Sequence, residues 1–422
     1  MSENKKQQLV PRLRFPEFKN TAEWQSPTLG EVSEPVEERV GERKLTPVSI
    51  SAGIGFVPQA EKFGRDISGS QYKLYTVVRD GDFVYNKGNS LKFPQGCVYD
   101  LQGWGEVAAP NVFICFRLKN GYENGFYRQC FERNVHGIQL RKHITSGARS
   151  NGLLNISKEA FYGVAIPVPS HAEQQKIADC LSSLDDLIAA ETYKLDTLKT
   201  HKKGLMQQLF PREGETVPGL RFPEFRETGE WEKVSLQRVI EIASGQVDPT
   251  KPPYCDLPHV GGENIEAGTG KLLNLRTAKE DGVISGKYAF DEHDILYSKI
   301  RPALNKVAAP DISGVCSADV YPIRPCCEML RREFLVYLLR SESFVKYATK
   351  HSGRGKIPKI NREDLFAYDA MLPTPAEQEY IASFLSSLDE RINLQSQKLE
   401  DLQNHKIGLM QQLFPALDEV DA

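Results

Sequence analysis

At 422 residues, with 40% hydrophobic and 26% charged side chains, the chain is long enough for two domains and their connectors. A formal charge of −3 argues against a uniformly basic nucleic-acid coat. No apolar run approaches a membrane span, and the polar start MSENKKQQ does not read as a signal peptide, so a cytoplasmic protein is expected. Cys97, Cys115, Cys130, Cys180, Cys255, Cys316, Cys326 and Cys327 contain no CxxC pair and the histidines no HxxxH or HExxH, so neither a metal site nor a disulfide framework is expected and the thiols should be reduced and mostly buried.

Taken in order, the chain is two copies of one plan. LRFPEF at 13–18 recurs at 220–225, and Glu23, Trp24, Leu29 and Val32 are matched by Glu230, Trp231, Leu236 and Val239 at a constant offset. The expected organisation is an opening motif (1–24), a globular region (25–168), a central coiled-coil helix (169–211), a linker with the second opening motif (212–231), a second globular region (232–372), a C-terminal coiled-coil helix (373–415) and an acidic tail (416–422). Gln7, Gln8 and Leu9 echo Gln207, Gln208 and Leu209 ahead of the second opening motif, which suggests a cyclic plan with neighbouring ends.

The globular regions match only sparsely. In each, a short apolar strand follows an aspartate, Asp82 before 83–87 and Asp294 before 295–299, and Asn111, Val112 and Phe113 parallel Asp319, Val320 and Tyr321. A helical pattern follows, clearest over 331–350, where Phe334, Leu335, Leu338, Leu339 and Phe344 form one apolar face. Each region then finishes on a basic glycine-containing loop, SGARSNG from Ser146 or SGRGKIPK from Ser352. Residues 350–362 hold five Lys or Arg and no acid, and 128–149 hold five against one. Glycine lets backbone approach a phosphate, and the cations can neutralise phosphates or reach base edges. The nucleic-acid candidates are Arg141, Lys142 and Arg149 in the first copy and Arg354, Lys356, Lys359 and Arg362 in the second. Asn86, Lys87, Lys299, Arg301 and Lys306 join them from the segments after the matched strand. A solvated surface loop is the alternative for each.

The most regular stretches are AEQQKIADCLSSLDD and AEQEYIASFLSSLDE, each running to GLMQQLFP. Ile177, Leu181, Leu184, Ile188, Glu191, Leu195, Leu198, Lys202, Leu205 and Leu209 recur at steps of four and three. Ile381, Leu385, Leu388, Ile392, Gln395, Leu399, Leu402, Lys406, Leu409 and Leu413 repeat the pattern. Such spacing keeps a narrow stripe facing a partner, the form of a coiled coil; a helix buried on a domain would carry a wider apolar face. Ser170 with Glu173, and Thr374 with Glu377, fit a capping box, and Pro375 suits the first helical turn. Each helix should be roughly 55 Å long at ~1.5 Å per residue, whereas the link 211–218 spans at most ~25 Å, so an antiparallel pair is the economical arrangement. His201 and His405 read as exposed polar positions, and Asp185 and Asp186 as surface carboxylates.

Enzymatic motifs are missing. Lys251, Pro252, Pro253 and Tyr254 are similar to an amino-methyltransferase loop, but Lys stands where an amide or acid belongs, and no glycine-rich cofactor turn accompanies it. A self-contained DNA methyltransferase and a coiled-coil scaffold without DNA recognition are the alternatives to a DNA reader.

LRFPEF with its following Trp, the Pro-x-Pro lead into the AEQ helix, LSSLD, and the HKKGLMQQLFP and HKIGLMQQLFP closes together resemble the specificity subunit of type I restriction-modification systems, over essentially the whole chain. The resemblance implies an α+β fold with two target recognition domains and two long helices paired as an antiparallel coiled coil, related by internal pseudo-twofold symmetry. It implies a non-catalytic chain that reads a bipartite asymmetric site in double-stranded DNA, with the helices as a ruler. Two methylation subunits would dock on the repeated regions, joined by restriction and translocase subunits. S-adenosylmethionine, ATP and Mg2+ would belong to those partners.

Overall fold

The computed structural model describes residues 9–88, 93–144, 154–353 and 356–415. The chain divides into two compact units, Met1–Thr192 with Lys398–Ala422 and Tyr193–Gln397. Each unit therefore holds one globular domain and part of both long helices.

In unit 1 a four-stranded antiparallel sheet runs in the order Ser33–Pro35, Ile114–Leu118, Phe83–Asn86, Cys97–Asp100. A second sheet runs Gly55–Pro58, Thr46–Ser51, Glu106–Ala109, Thr76–Arg79, with its middle pair parallel. Unit 2 repeats the plan. One sheet runs Ile240–Ile242, Val320–Pro325, Ile295–Ser298, Val307–Ala308. The other runs Arg276–Thr277, Pro258–Val260, Gly314–Cys316, Tyr288–Phe290, again with a parallel middle pair. The matched strands Phe83–Asn86 and Ile295–Ser298 are buried along their whole length, as strands covered on both faces are.

The aspartate before each strand has a definite job. Asp82 accepts from the Arg79 amide at 2.8 Å and from Arg117 at 2.6 and 3.0 Å; Asp294 accepts from the Asp291 amide at 2.9 Å and from Arg324 at 2.9 and 2.8 Å. It fixes the turn that launches the strand and ties it to the neighbouring strand. The helical pattern at 331–350 is two helices, Arg332–Arg340 and Glu342–Lys350. Ser341 breaks them, its hydroxyl donating to Leu338 O at 2.7 Å and accepting from the Phe344 amide at 3.3 Å. In the first copy Asn124–Glu132 takes the place of Arg332–Arg340.

The long helices are His171–Leu209 and Pro375–Leu413, 39 residues each. Within unit 1 they run antiparallel, since Asp185 meets Lys406 while Glu191 meets Lys398. In unit 2 Lys202 meets Asp389, and Leu209 shares a core with Ile381 and Leu385. Every position of both predicted stripes is buried or half-buried. The stripe is nevertheless not one uniform seam. Ile177, Ala178 and Leu181 belong to the core of the first domain, and Ile381, Ala382, Leu385 and Leu388 to that of the second. The helix starts are thus domain-core helices with a widened apolar face, and the narrow coiled-coil pattern applies to the middle stretches.

Both predicted capping boxes are half made. Ser170 Oγ accepts from the Glu173 amide at 3.3 Å and Thr374 Oγ1 from that of Glu377 at 3.4 Å. Each glutamate's carboxylate instead receives an arginine of the opening motif, Arg14 on Glu173 (2.7 and 2.7 Å) and Arg221 on Glu377 (2.8 and 2.7 Å). The next residue continues the pattern. Gln174 Oε1 accepts from the Glu123 amide and Gln378 Oε1 from the Arg331 amide, both at 2.8 Å, at the starts of the two equivalent domain helices.

The GLMQQLFP closes exchange places. Phe414, ending the second copy, lies against Trp24 and Phe126 of the first domain, and Phe210, ending the first copy, against Trp231 and Phe334 of the second. The Leu13 amide donates to Gln412 O at 2.9 Å, as that of Leu220 does to Gln208 O at 2.8 Å. All eight cysteines are free; Cys97, Cys115, Cys130 and Cys316 are buried, Cys180 and Cys255 half-buried and Cys326 and Cys327 exposed, so half of the thiols rather than most are buried. No described helix is long and apolar enough to cross a membrane.

Candidate nucleic-acid interface

In unit 2 the segment after the buried strand and the basic loop are joined edge to edge. Ile300 and Lys359 form an antiparallel bridge, the Arg301 amide donates to Pro358 O at 2.8 Å, and the Ile360 amide donates to Lys299 O at 3.1 Å. This pairing places Arg301 and Lys359, with Lys356 close by in the chain, on two joined segments, and all three are exposed. Arg301 (φ 49°) and Asn305 (φ 50°) both occupy the left-handed region, unusual for residues with a Cβ. Such strain is found where surrounding structure holds a side chain in a required place.

Lys299, Lys306 and Arg362 are committed internally. Lys299 Nζ donates to Ala318 O at 2.7 Å, lies 3.3 Å from Asp319 and sits over the Tyr321 ring. Lys306 Nζ donates to Gly262 O at 2.6 Å. Arg362 donates to Ile242 O and Ala243 O and stacks over Tyr288 and Tyr321. These bonds shape the loops that carry the exposed cations.

In unit 1 the same strand-to-loop pairing recurs, the Leu154 amide donating to Lys87 O at 2.8 Å. Asn86 is buried; its Nδ2 donates to Ile50 O at 2.8 Å and its Oδ1 accepts from the Gly88 amide at 2.7 Å, which assigns it a structural job. Lys87 is half-buried, with Nζ 3.5 Å from Ile156 O. Arg141 and Lys142 are exposed on the short turn Arg141–His143. Arg149 with the loop 146–152, and Arg354 in the second loop, lie outside the described residues, as does the tail 416–422.

Lys251 pairs at the surface with Asp248 at 3.2 Å, and His201 and His405 are exposed. Asp185, expected as a surface carboxylate, accepts from Lys406 at 2.8 Å and from Gln129 at 3.1 Å. The arginine–glutamate pairs of the opening motifs were missed in the sequence. The available signal was the duplication of Arg14 and Glu173 as Arg221 and Glu377.

Two α+β modules with the same buried scaffold and unlike exposed cations among the described candidates, each completed by the helix end of the other copy, define a duplicated recognition protein. Residues 79–200 and 228–404 match the type I restriction modification DNA specificity domain. The chain belongs to that family. It is 27% identical over 282 residues to the EcoDI specificity subunit of Escherichia coli, covering 60% of this chain and 62% of that one. It is 26% identical over 356 residues to the putative MjaX specificity subunit of Methanocaldococcus jannaschii, covering 83% and 81%. The aligned segment thus spans somewhat less than two thirds of the E. coli relative. The fold is that of the type I restriction-modification S subunit from M. genitalium (TM-score 0.57, 13% identity, 97% of this chain and 100% of the other). A chain from a structural study of complex assembly and conformational transition of the type I R-M system is similar (TM-score 0.56, 17% identity, 94% and 98%).

Proposed function

We propose that this chain is the non-catalytic DNA-reading subunit of a type I restriction-modification complex. Each globular domain contacts one half of a bipartite asymmetric site, the helix pair sets the gap between the halves, and partner subunits methylate adenine and cleave. The observation that carries this reading is the contrast between scaffold and loop. The buried pairs Arg14–Glu173 and Arg221–Glu377 repeat nearly atom for atom, whereas the candidate cations found exposed among the described residues are Arg141 and Lys142 in one domain and Arg301, Lys356 and Lys359 in the other. A shared frame with unlike loops suits two unlike half-sites.

The same duplication supports two copies of one methylation partner. Val10 and Leu13 are 47% and 39% exposed, and their counterparts Val217 and Leu220 are 40% and 36% exposed, so each opening motif presents a like apolar pair. S-adenosylmethionine, ATP and Mg2+ are assigned to the partners, along with the restriction and translocase activities.

Duplex binding by the chain with its methylation partner, measured across a salt series, tests the reading. Arg301→Ala with Lys356→Ala should weaken binding and reduce the salt slope by about 1 for each phosphate no longer neutralised, with the fold intact. Salt-independent binding, or variants that bind as the native chain does, would contradict it.

A further inference from the structure

Among the polar groups that the described parts of the helix pair hold out of solvent are two lysines, each set on a carboxylate of the other helix, where a plain apolar seam would suffice. In unit 1 Lys406, 11% exposed at its side chain, donates to Asp185 of the first long helix at 2.8 Å and to Glu132 at 3.0 and 3.2 Å. The other Asp185 oxygen accepts from Gln129 Nε2 at 3.1 Å. In unit 2 Lys202, 14% exposed, pairs with Asp389 of the second long helix. The other Asp389 oxygen accepts from the Tyr337 hydroxyl at 2.9 Å, and the Lys202 ammonium lies 5.4 Å over the Tyr337 ring.

These are one junction built twice. Lys202 and Lys406 hold the same place in the repeat, as do Asp185 and Asp389. Gln129 and Tyr337 are each the sixth residue of equivalent nine-residue helices of the globular domains. The carboxylate comes from the helix that leaves the local domain, the ammonium from the helix that arrives, and the third corner from the domain itself.

An apolar stripe repeats along a helix and tolerates a slip; a buried lysine does not, because a slipped register leaves its charge without a partner. The third corner extends this to the domain. A domain that rocks on the helix pair must break the Gln129 or Tyr337 bond to a carboxylate already engaged by lysine. We propose that Lys406, Asp185, Glu132 and Gln129 in unit 1, and Lys202, Asp389 and Tyr337 in unit 2, are positioning residues. They fix each recognition domain on the helix pair and thereby hold the gap between half-sites to one length. This rests on the reading of the chain as a bipartite DNA reader.

The test uses the full chain co-expressed with its methylation subunit on a random duplex library, reading the distribution of gap lengths between the two half-motifs. Native protein should give one gap. Lys406→Met and Lys202→Met should spread modification to gaps one base pair shorter or longer, lowering the preference for the native gap by roughly tenfold, with half-motifs unchanged. Lys406→Arg should restore the single gap. Tyr337→Phe removes one hydroxyl without disturbing packing, should shift the distribution in the same direction by a smaller factor, and decides the matter should a lysine variant fail to fold. Variants that modify less DNA yet keep the single native gap would overturn the proposal while leaving the DNA-reader function standing. A native chain that yields no bipartite motif would sink the functional reading itself.

Discussion

Arg14 and Glu173 lie 159 residues apart, and each side chain is nearly closed off from water, at 8% and 1% exposure. Removing one member of a buried pair strands the other, so Arg14→Met should destabilise unit 1 by about 3 kcal/mol, and Arg221→Met unit 2 by a similar amount. Denaturant unfolding followed by a probe in each unit would show which transition moves; equal movement of both units by either change would contradict the assignment. His136 supplies a pH dependence. It is wholly buried against Tyr85 and Phe131, and burial pushes its pKa down from 6.5 to about 4, outweighing an opposing pull from the Gly96 backbone. Between those values the unfolded chain binds a proton that the native ring refuses. Stability from this group is therefore complete above pH 6.5 and falls as pH drops toward 4, by on the order of 3 kcal/mol. His136→Phe should flatten that fall in unfolding midpoints measured at pH 7.5 and pH 5; an unchanged fall would show that other groups carry it. Individual side chains were the least legible scale in the sequence. The cations were visible, but whether Lys306 reaches Gly262 O or solvent depends on a loop 44 residues away.

At the scale of elements, the four-three spacing from Ile177 to Leu209 and from Ile381 to Leu413 was legible because a helix turns the same way wherever it sits. What the spacing could not carry is the identity of the partner at each turn. Ile177 and Leu181 face a domain core containing Phe126 and Cys130, and nothing local to the helix announces it. The break at Ser341 was hidden for a related reason, since the apolar face continues through it from Leu339 to Phe344. The exchanged closes yield a sharp prediction. Phe414 is 1% exposed and lies 5.0 Å from the Phe126 ring, so Phe414→Ala should cost unit 1 about 3–5 kcal/mol while unit 2 is unaffected. Phe210→Ala should do the reverse, and a variant that weakens its own copy's domain instead would refute the exchange. The edge pairing of Arg301 with Pro358 was the element-level feature least visible beforehand, because it joins segments with no shared pattern.

At the scale of the whole molecule, duplication was the most legible feature, and it carries most of the functional argument. LRFPEF, AEQ and GLMQQLFP recur because each builds the same contact twice, with arginine on glutamate, glutamine on a helix start and phenylalanine on tryptophan. The basic segments differ in sequence between the copies, SGARSNG against SGRGKIPK, and no repeated contact fixes which bases they would read, so those bases are not written in the pattern. That the two domains read separate half-sites is tested most directly by co-expressing the chain with its methylation subunit and mapping modified adenines on a random duplex library. The expected result is two unlike short motifs at one fixed gap, with replacement of residues 25–168 by those of another family member changing only one motif. Modification at a single contiguous motif, or a replacement that alters both motifs at once, would contradict it.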